Sequence, residues 1–173
     1  MSATEDTNLN FVRQTLETAH REYDRGILES SPAQVLVFYE KWTAPGFEER
    51  GNPKGHVTDR AGMLALMAQV TASGSLGGGM VVLEDATGIA ELVVDGSLAI
   101  AVTENKCRYR LTDTQRWYGV KDEEHEVETV GRWRETWRET DEGWRLQINQ
   151  LLGSQTYVDG LLFAPPASSE PLA

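Results

Sequence analysis

The hydrophobic period of the chain changes near residue 80. Before that point apolar residues recur every three or four positions, as on one face of a helix; after it they recur every second position, as on one face of a strand. Over 8–28, Leu9, Val12, Leu16, Ala19, Tyr23 and Ile27 form a helical stripe with charged residues opposite, which predicts an amphipathic helix. Thr7 or Asn8 can cap it by accepting a hydrogen bond from a free first-turn amide. Ser31-Pro32-Ala33-Gln34 predicts a second helix start. Ser31 and Gln34 have capping-box spacing, and Pro32 stands where its missing N–H costs nothing. This helix runs to about Trp42, and Val35, Leu36, Phe38 and Tyr39 mark it for burial. Residues 46–57 alternate weakly around Gly51-Asn52-Pro53 and predict a short hairpin or irregular loop. A third helix is expected from Thr58 or Asp59 to about Thr71, with Met63, Leu64, Met67 and Val70 facing inward.

The period of two then predicts strands at 80–85, 88–94, 97–111, 125–139 and 143–153, with Asp95-Gly96 as a hairpin turn. The glycine-rich stretch 74–79 is a connector, and its likeness to a phosphate loop is compositional only. The polar excursion 112–124 carries Trp117-Tyr118, an aromatic pair expected to be exposed unless something covers it. Three helices followed by a meander of antiparallel strands predict an α+β fold, with the helices on one face of a curved sheet. The 173 residues suit one domain, with a core over about 8–153 and flexible tails at 1–7 and 164–173.

Composition removes several function classes. With 27 acidic and 16 basic side chains, a net charge of −11, the chain lacks the basic footprint that nucleic acid requires, and anionic membrane surfaces are disfavoured. No apolar run approaches the roughly 20 residues of a membrane span, and the first ten residues are acidic and polar where a signal peptide is basic and then apolar. A single cysteine, Cys107, cannot form an internal disulfide. A soluble cytoplasmic domain is expected. The three histidines show no metal-ligand spacing, so neither a metal nor a cofactor is expected.

Candidate chemistry concentrates in 131–150. Trp133, Glu135 and Trp137 share one strand face, with Arg132, Arg134, Thr136 and Arg138 on the other. In the returning strand Trp144, Leu146, Ile148 and Gln150 share a face, with Arg145, Gln147 and Asn149 opposite. An even loop within 140–143 brings the two apolar sets to the same side; an odd, bulged loop parts them. In the even case Glu135 stands between two tryptophans facing the core, where desolvation makes a carboxylate usable as an acid or base near neutral pH. The competing reading pairs Glu135 with an arginine of a neighbouring strand. If Glu135 serves a pocket, Glu135→Gln is expected to abolish turnover or binding and to leave thermal stability little changed. His56, beside Gly55, is a second candidate base at a cavity mouth, against a solvated loop histidine. His20 on the polar side of the first helix and His125 after an acidic run are both expected to be exposed. Cys107 and Tyr109 share a face with Ala99, Ala101 and Thr103, which leaves room for a ligand or a packed helix.

The order of three short motifs resembles the nuclear transport factor 2-like superfamily in its SnoaL-like, ketosteroid-isomerase-like branch. They are the closing hairpin with Glu135-Thr136-Trp137 and Asp141-Glu142-Gly143-Trp144, the segment Trp42-Thr43-Ala44-Pro45 before Phe47, and Thr58-Asp59-Arg60-Ala61 opening a helix. The resemblance spans about 8–153. It implies a cone-shaped, cystatin-like domain enclosing a cavity, and a homodimer through the outer sheet face. It departs from catalytic relatives at Gly46, where many carry an Asp, and at Gln150, where many carry a His. Glu48, Glu49 or Glu135 would have to supply the base. The expected function is a pocket for a mostly apolar or aromatic small molecule, with Tyr39, Trp42, Trp133 and Trp137 as wall and Glu135 with Gln150 as orienting groups. Any catalysis is expected to be cofactor-independent isomerisation, cyclisation, dehydration or epoxide opening. The alternative is a non-catalytic dimerisation or association module.

Overall fold

The computed structural model describes residues 3–51, 55–73, 80–112, 114, 118–121 and 123–163. Asn52-Pro53, the connector 74–79, Trp117 and the tail after Phe163 lie outside the described residues. The elements are α1 (Ala3–Leu28), α2 (Pro32–Trp42), β1 (Thr43–Arg50), β2 (Val57–Asp59), α3 (Arg60–Ser73), β3 (Val81–Asp95), β4 (Leu98–Leu111), β5 (His125–Thr140), β6 (Gly143–Val158) and β7 (Leu161–Leu162).

The apolar stripe of α1 buries Val12, Leu16 and Ala19 completely. It rests on β3, where Asp24 accepts from the Thr87 amide at 2.8 Å and the Thr87 hydroxyl at 2.7 Å. α1 and α2 approach closely at Gly26, where a Cβ would lie 2.9 Å from Val35 Cγ2. Pro32 opens α2 as its fixed φ allows, but the capping box does not form. The Ser31 side chain makes no cap bond, and Gln34 instead donates to Glu29 at 2.7 Å.

The sheet order is β2-β1-β6-β5-β4-β3, with β7 on β6. β3 to β6 form the expected antiparallel meander, and β1 and β2 form a short hairpin, one of the two readings of 46–57. The sheet is mixed rather than wholly antiparallel. The meander brings β6 back beside β1, and the direction in which β1 leaves α2 makes that pair parallel. The two strands expected at 80–85 and 88–94 are one, β3, whose breaks in pattern are bulges near 83 and 90. Bulges also interrupt β6, and each adds local twist to the sheet.

The main core gathers α1, α2 and the concave sheet face around Trp137, which has no exposed surface and meets Trp42 edge-on at 6.4 Å. Truncating so large a buried ring costs about 3–5 kcal/mol in typical cores. A smaller cluster of Leu111, Val127 and Val158 occupies another part of the sheet. Tyr118 belongs to it, hydroxyl to hydroxyl with Tyr109 at 2.7 Å and edge-on to Phe163, so this half of the aromatic pair is covered.

Candidate functional site

Strand parity builds the site. Thr140 pairs with Gly143 across a two-residue loop, an even connection, so Trp137 and Leu146 stand opposite each other on the concave face. Gly143 takes φ +96°, which a side chain would resist. One extra β6 residue between Leu146 and Ile148 then reverses the alternation. Beyond it Glu135 faces Asn149, while Gln150 pairs with Arg134 on the opposite face. A second extra residue, Leu152, restores the original parity, so that Val158 meets Val127. Asn149 therefore takes the inward place expected of Gln150. Asn149 also pairs with Glu49 of β1, which sets Glu135, Asn149 and Glu49 in one row across three neighbouring strands. At the usual strand spacing the backbones of the two glutamates lie about 10 Å apart.

The row borders a pocket of about 300 Å³. Tyr39, Trp133 and Trp137 line it, together with Phe38, Phe47 and Met63. Its polar lining includes His20, Glu49, Thr103, Asn105, Glu135 and Asn149. Trp42 stands behind this wall in the core and donates its Nε1–H to Glu22 at 2.7 Å. Gln150 and His56 are not lining residues; His56 is exposed in the β1–β2 connection, where its carbonyl accepts from the Gly51 amide at 2.8 Å.

Glu135 is buried, but not among apolar groups alone. His20 Nε2 lies 3.1 and 3.0 Å from its two oxygens, Trp137 Nε1 donates at 2.7 Å, and the Thr103 hydroxyl donates at 3.2 Å. Its partner is thus a histidine from α1 rather than a neighbouring arginine. His20, expected on the polar side, is 5% exposed. The sequence does carry the signal: positions 16, 20, 23 and 27 have helical spacing, so His20 belongs to the apolar stripe. Burial alone would lower the His20 pKa, yet the charge and hydrogen bond of Glu135, with Asp24 and Glu17 beyond, hold it above its ordinary value. Its other ring nitrogen, Nδ1, is buried without a hydrogen-bond partner. His125 is also less exposed than expected, bonded to Asp159 at 2.6 Å through Nδ1.

Glu49 is held differently. Burial raises its pKa, and a hydrogen bond from the Asn149 side chain opposes that rise. Asn149 Oδ1 remains buried and without a partner. Farther along the sheet, on β3, Asp85 is pushed up to about 6 by burial, against a hydrogen bond from Asn105 at 3.1 Å. Burial and the neighbouring Asp85 push the Cys107 thiol up to about 12, so it is no nucleophile at neutral pH. The site thus offers a histidine–carboxylate pair suited to moving protons and a second, less saturated carboxylate–amide pair.

No protein-family model matches the sequence, and no curated protein matches it by sequence. Solved structures match the fold. A candidate scytalone dehydratase from Novosphingobium aromaticivorans superposes with a TM-score of 0.57 at 14% identity, covering 95% of this chain and 99% of that one. An NTF2-like protein with a cystatin-like fold from the same organism gives 0.53 at 19% identity, covering 86% and 87%. An NTF2-like protein from Cytophaga hutchinsonii gives 0.52 at 8% identity, covering 80% and 95%. Helices laid over the concave face of a curved sheet, with a pocket between them, define the class as α+β. Within that class the chain has the nuclear transport factor 2-like fold. No helix among the described residues is long and apolar enough to cross a membrane.

Proposed function

We propose that this is a small-molecule pocket protein of the SnoaL-like type, binding a mostly apolar or aromatic ligand and moving a proton on it without a cofactor. The observation that carries the proposal is the His20–Glu135 pair in the wall of an aromatic pocket, with His20 Nδ1 unpartnered. Glu135 holds Nε2–H and leaves Nδ1 as the basic atom, the division of labour that carboxylate–histidine pairs use elsewhere. A proton taken from a ligand carbon converts His20 to imidazolium, which the Glu135 charge stabilises. Returning that proton to another ligand atom isomerises the ligand; returning it to a departing hydroxyl dehydrates it. The dehydratase chemistry named for one fold neighbour favours the second course.

The test uses 5-nitrobenzisoxazole, an aromatic carbon acid whose ring opens on loss of one proton, the electrons of the C–H bond forming a nitrile as the N–O bond breaks to phenolate. The protein is expected to accelerate this opening over buffer, with a rate rising with pH through the elevated His20 pKa. His20→Gln, checked for folding by circular dichroism, is expected to return the rate to the buffer level. An unchanged rate in the folded variant would falsify the assignment of His20 as base.

Dimerisation is the second component of the proposal. Val93, Ile100, Thr136 and Ile148 align in one row on the outer sheet face, and Val93 and Ile100 are 65% and 40% exposed. A homodimer through this face, in a cytoplasmic setting, is expected to sediment at twice the monomer mass and to dissociate in Ile100→Glu. A dimer inactive on every carbon acid would favour the association-module reading.

A further inference from the structure

The pocket holds two polar stations, and only the His20–Glu135 station is used above. We propose that Asn149, positioned by Glu49, is a specificity-determining residue that accepts a hydrogen bond from a ligand hydroxyl, so that the ligand is a hydroxylated aromatic or alicyclic compound. The inference rests on the pocket reading and adds the ligand's polar group to it.

Both side chains line the pocket, and both lie in the row that ends at Glu135. The Asn149 amide has two donors and an oxygen acceptor. Asn149 stands directly across from Glu49 in the β1–β6 pairing, which sets the two side chains next to each other, and the amide oxygen is the atom left without a partner. That oxygen, Oδ1, is buried with no donor within reach. A buried acceptor in this state is destabilising until a donor reaches it. Apart from the polar residues named above, the lining is aromatic and aliphatic, so the donor arrives on a largely apolar molecule. Glu49 thus acts on the ligand through Asn149, by fixing which way the amide points.

Three probes of one shape separate the possibilities: 2-naphthol, 2-methoxynaphthalene, which keeps the oxygen and loses the donor, and naphthalene. Trp133 and Trp137 line the pocket and report binding by fluorescence quenching. Wild type is expected to bind 2-naphthol about tenfold more tightly than either of the others, the usual scale for satisfying a buried acceptor. Asn149→Leu and Asn149→Ala are expected to bring all three affinities together. Glu49→Leu is expected to do so in part, and Glu49→Gln, which keeps an oxygen facing the Asn149 amide nitrogen, to retain the preference. A preference surviving in both folded Asn149 variants, or absent in wild type, overturns the proposal. Quenching by none of the three probes overturns the pocket reading beneath it as well, whereas equal binding of all three overturns this inference alone.

Discussion

Glu135 and Glu49 are the same residue type in the same cross-strand row, nearly equally buried at 6% and 9% exposure, yet their surroundings differ. Glu135 receives His20, Trp137 and Thr103. Glu49 has the Asn149 amide, which itself keeps an unpaired oxygen. Burial by itself therefore does not decide what a pocket carboxylate does. The donors brought to it by neighbouring elements decide whether it holds a charge in place or remains open to a ligand. α1 supplies a histidine above β5, whereas Glu49, on β1 between β2 and β6, meets no comparable cation among the described residues.

The strongest way to break this comparison is to remove each carboxylate. Glu135→Leu strands the Trp137 indole N–H, the Thr103 hydroxyl and His20 without their acceptor, and is expected to destabilise the fold by about 3–5 kcal/mol in urea unfolding. Glu135→Gln is milder, at about 2 kcal/mol, but not neutral, because its amide nitrogen must face either the indole or the imidazole, both of which donate. The geometry thus revises the expectation that this substitution spares stability. The double variant His20→Leu with Glu135→Leu is expected to recover part of the loss, since it removes both charges together. Equal losses at Glu49→Leu and Glu135→Leu would dissolve the contrast between the two sites.

A smaller effect, of about 1–2 kcal/mol, is expected in the pH dependence of stability. His20 has a folded-state pKa above its ordinary 6.5. The folded state therefore binds the proton more tightly than the unfolded chain does. The resulting stabilisation is complete below about pH 6.5 and is lost as pH rises through the folded value. Unfolding free energies at about pH 5, 7 and 9 are expected to fall toward alkali in wild type and to do so less in His20→Gln. A parallel pair of curves would place the His20–Glu135 interaction outside the titration.

Much of the architecture was legible because period and turn chemistry are local. The switch from a period near three and a half to two marked the passage from helices to sheet, and Pro32, Gly96 and Gly143 stand at element ends. The even hairpin loop was one of two stated cases, and it is the one present. What alternation could not give was the pair of β6 bulges, because an inserted residue leaves the alternating pattern readable on either side of it. That single shift exchanged Gln150 for Asn149 in the site. His20 was missed for a different reason: its polarity outweighed its place on the Leu16–Tyr23–Ile27 stripe. A buried histidine is tolerated there only because a strand distant in sequence supplies Glu135.

The smallest effect probes the open carboxylate itself. Burial raises the Glu49 pKa above its ordinary 4.5, so the neutral acid is the form the fold favours. Its contribution to stability is complete below about pH 4 and is lost as pH rises through the folded value, when the buried group must ionise. Glu49→Gln removes that ionisation and keeps an oxygen for the Asn149 amide. The variant is expected to match wild type near pH 4 and to exceed it by up to about 1 kcal/mol near pH 7, read by urea unfolding at both. Asp85, raised to about 6 by burial, provides an internal standard of the same sign: Asp85→Asn is expected to gain stability over the same interval. If Glu49→Gln instead loses stability at neutral pH while Asp85→Asn gains it, Glu49 is held by donors as Glu135 is, and the two ends of the row are alike after all.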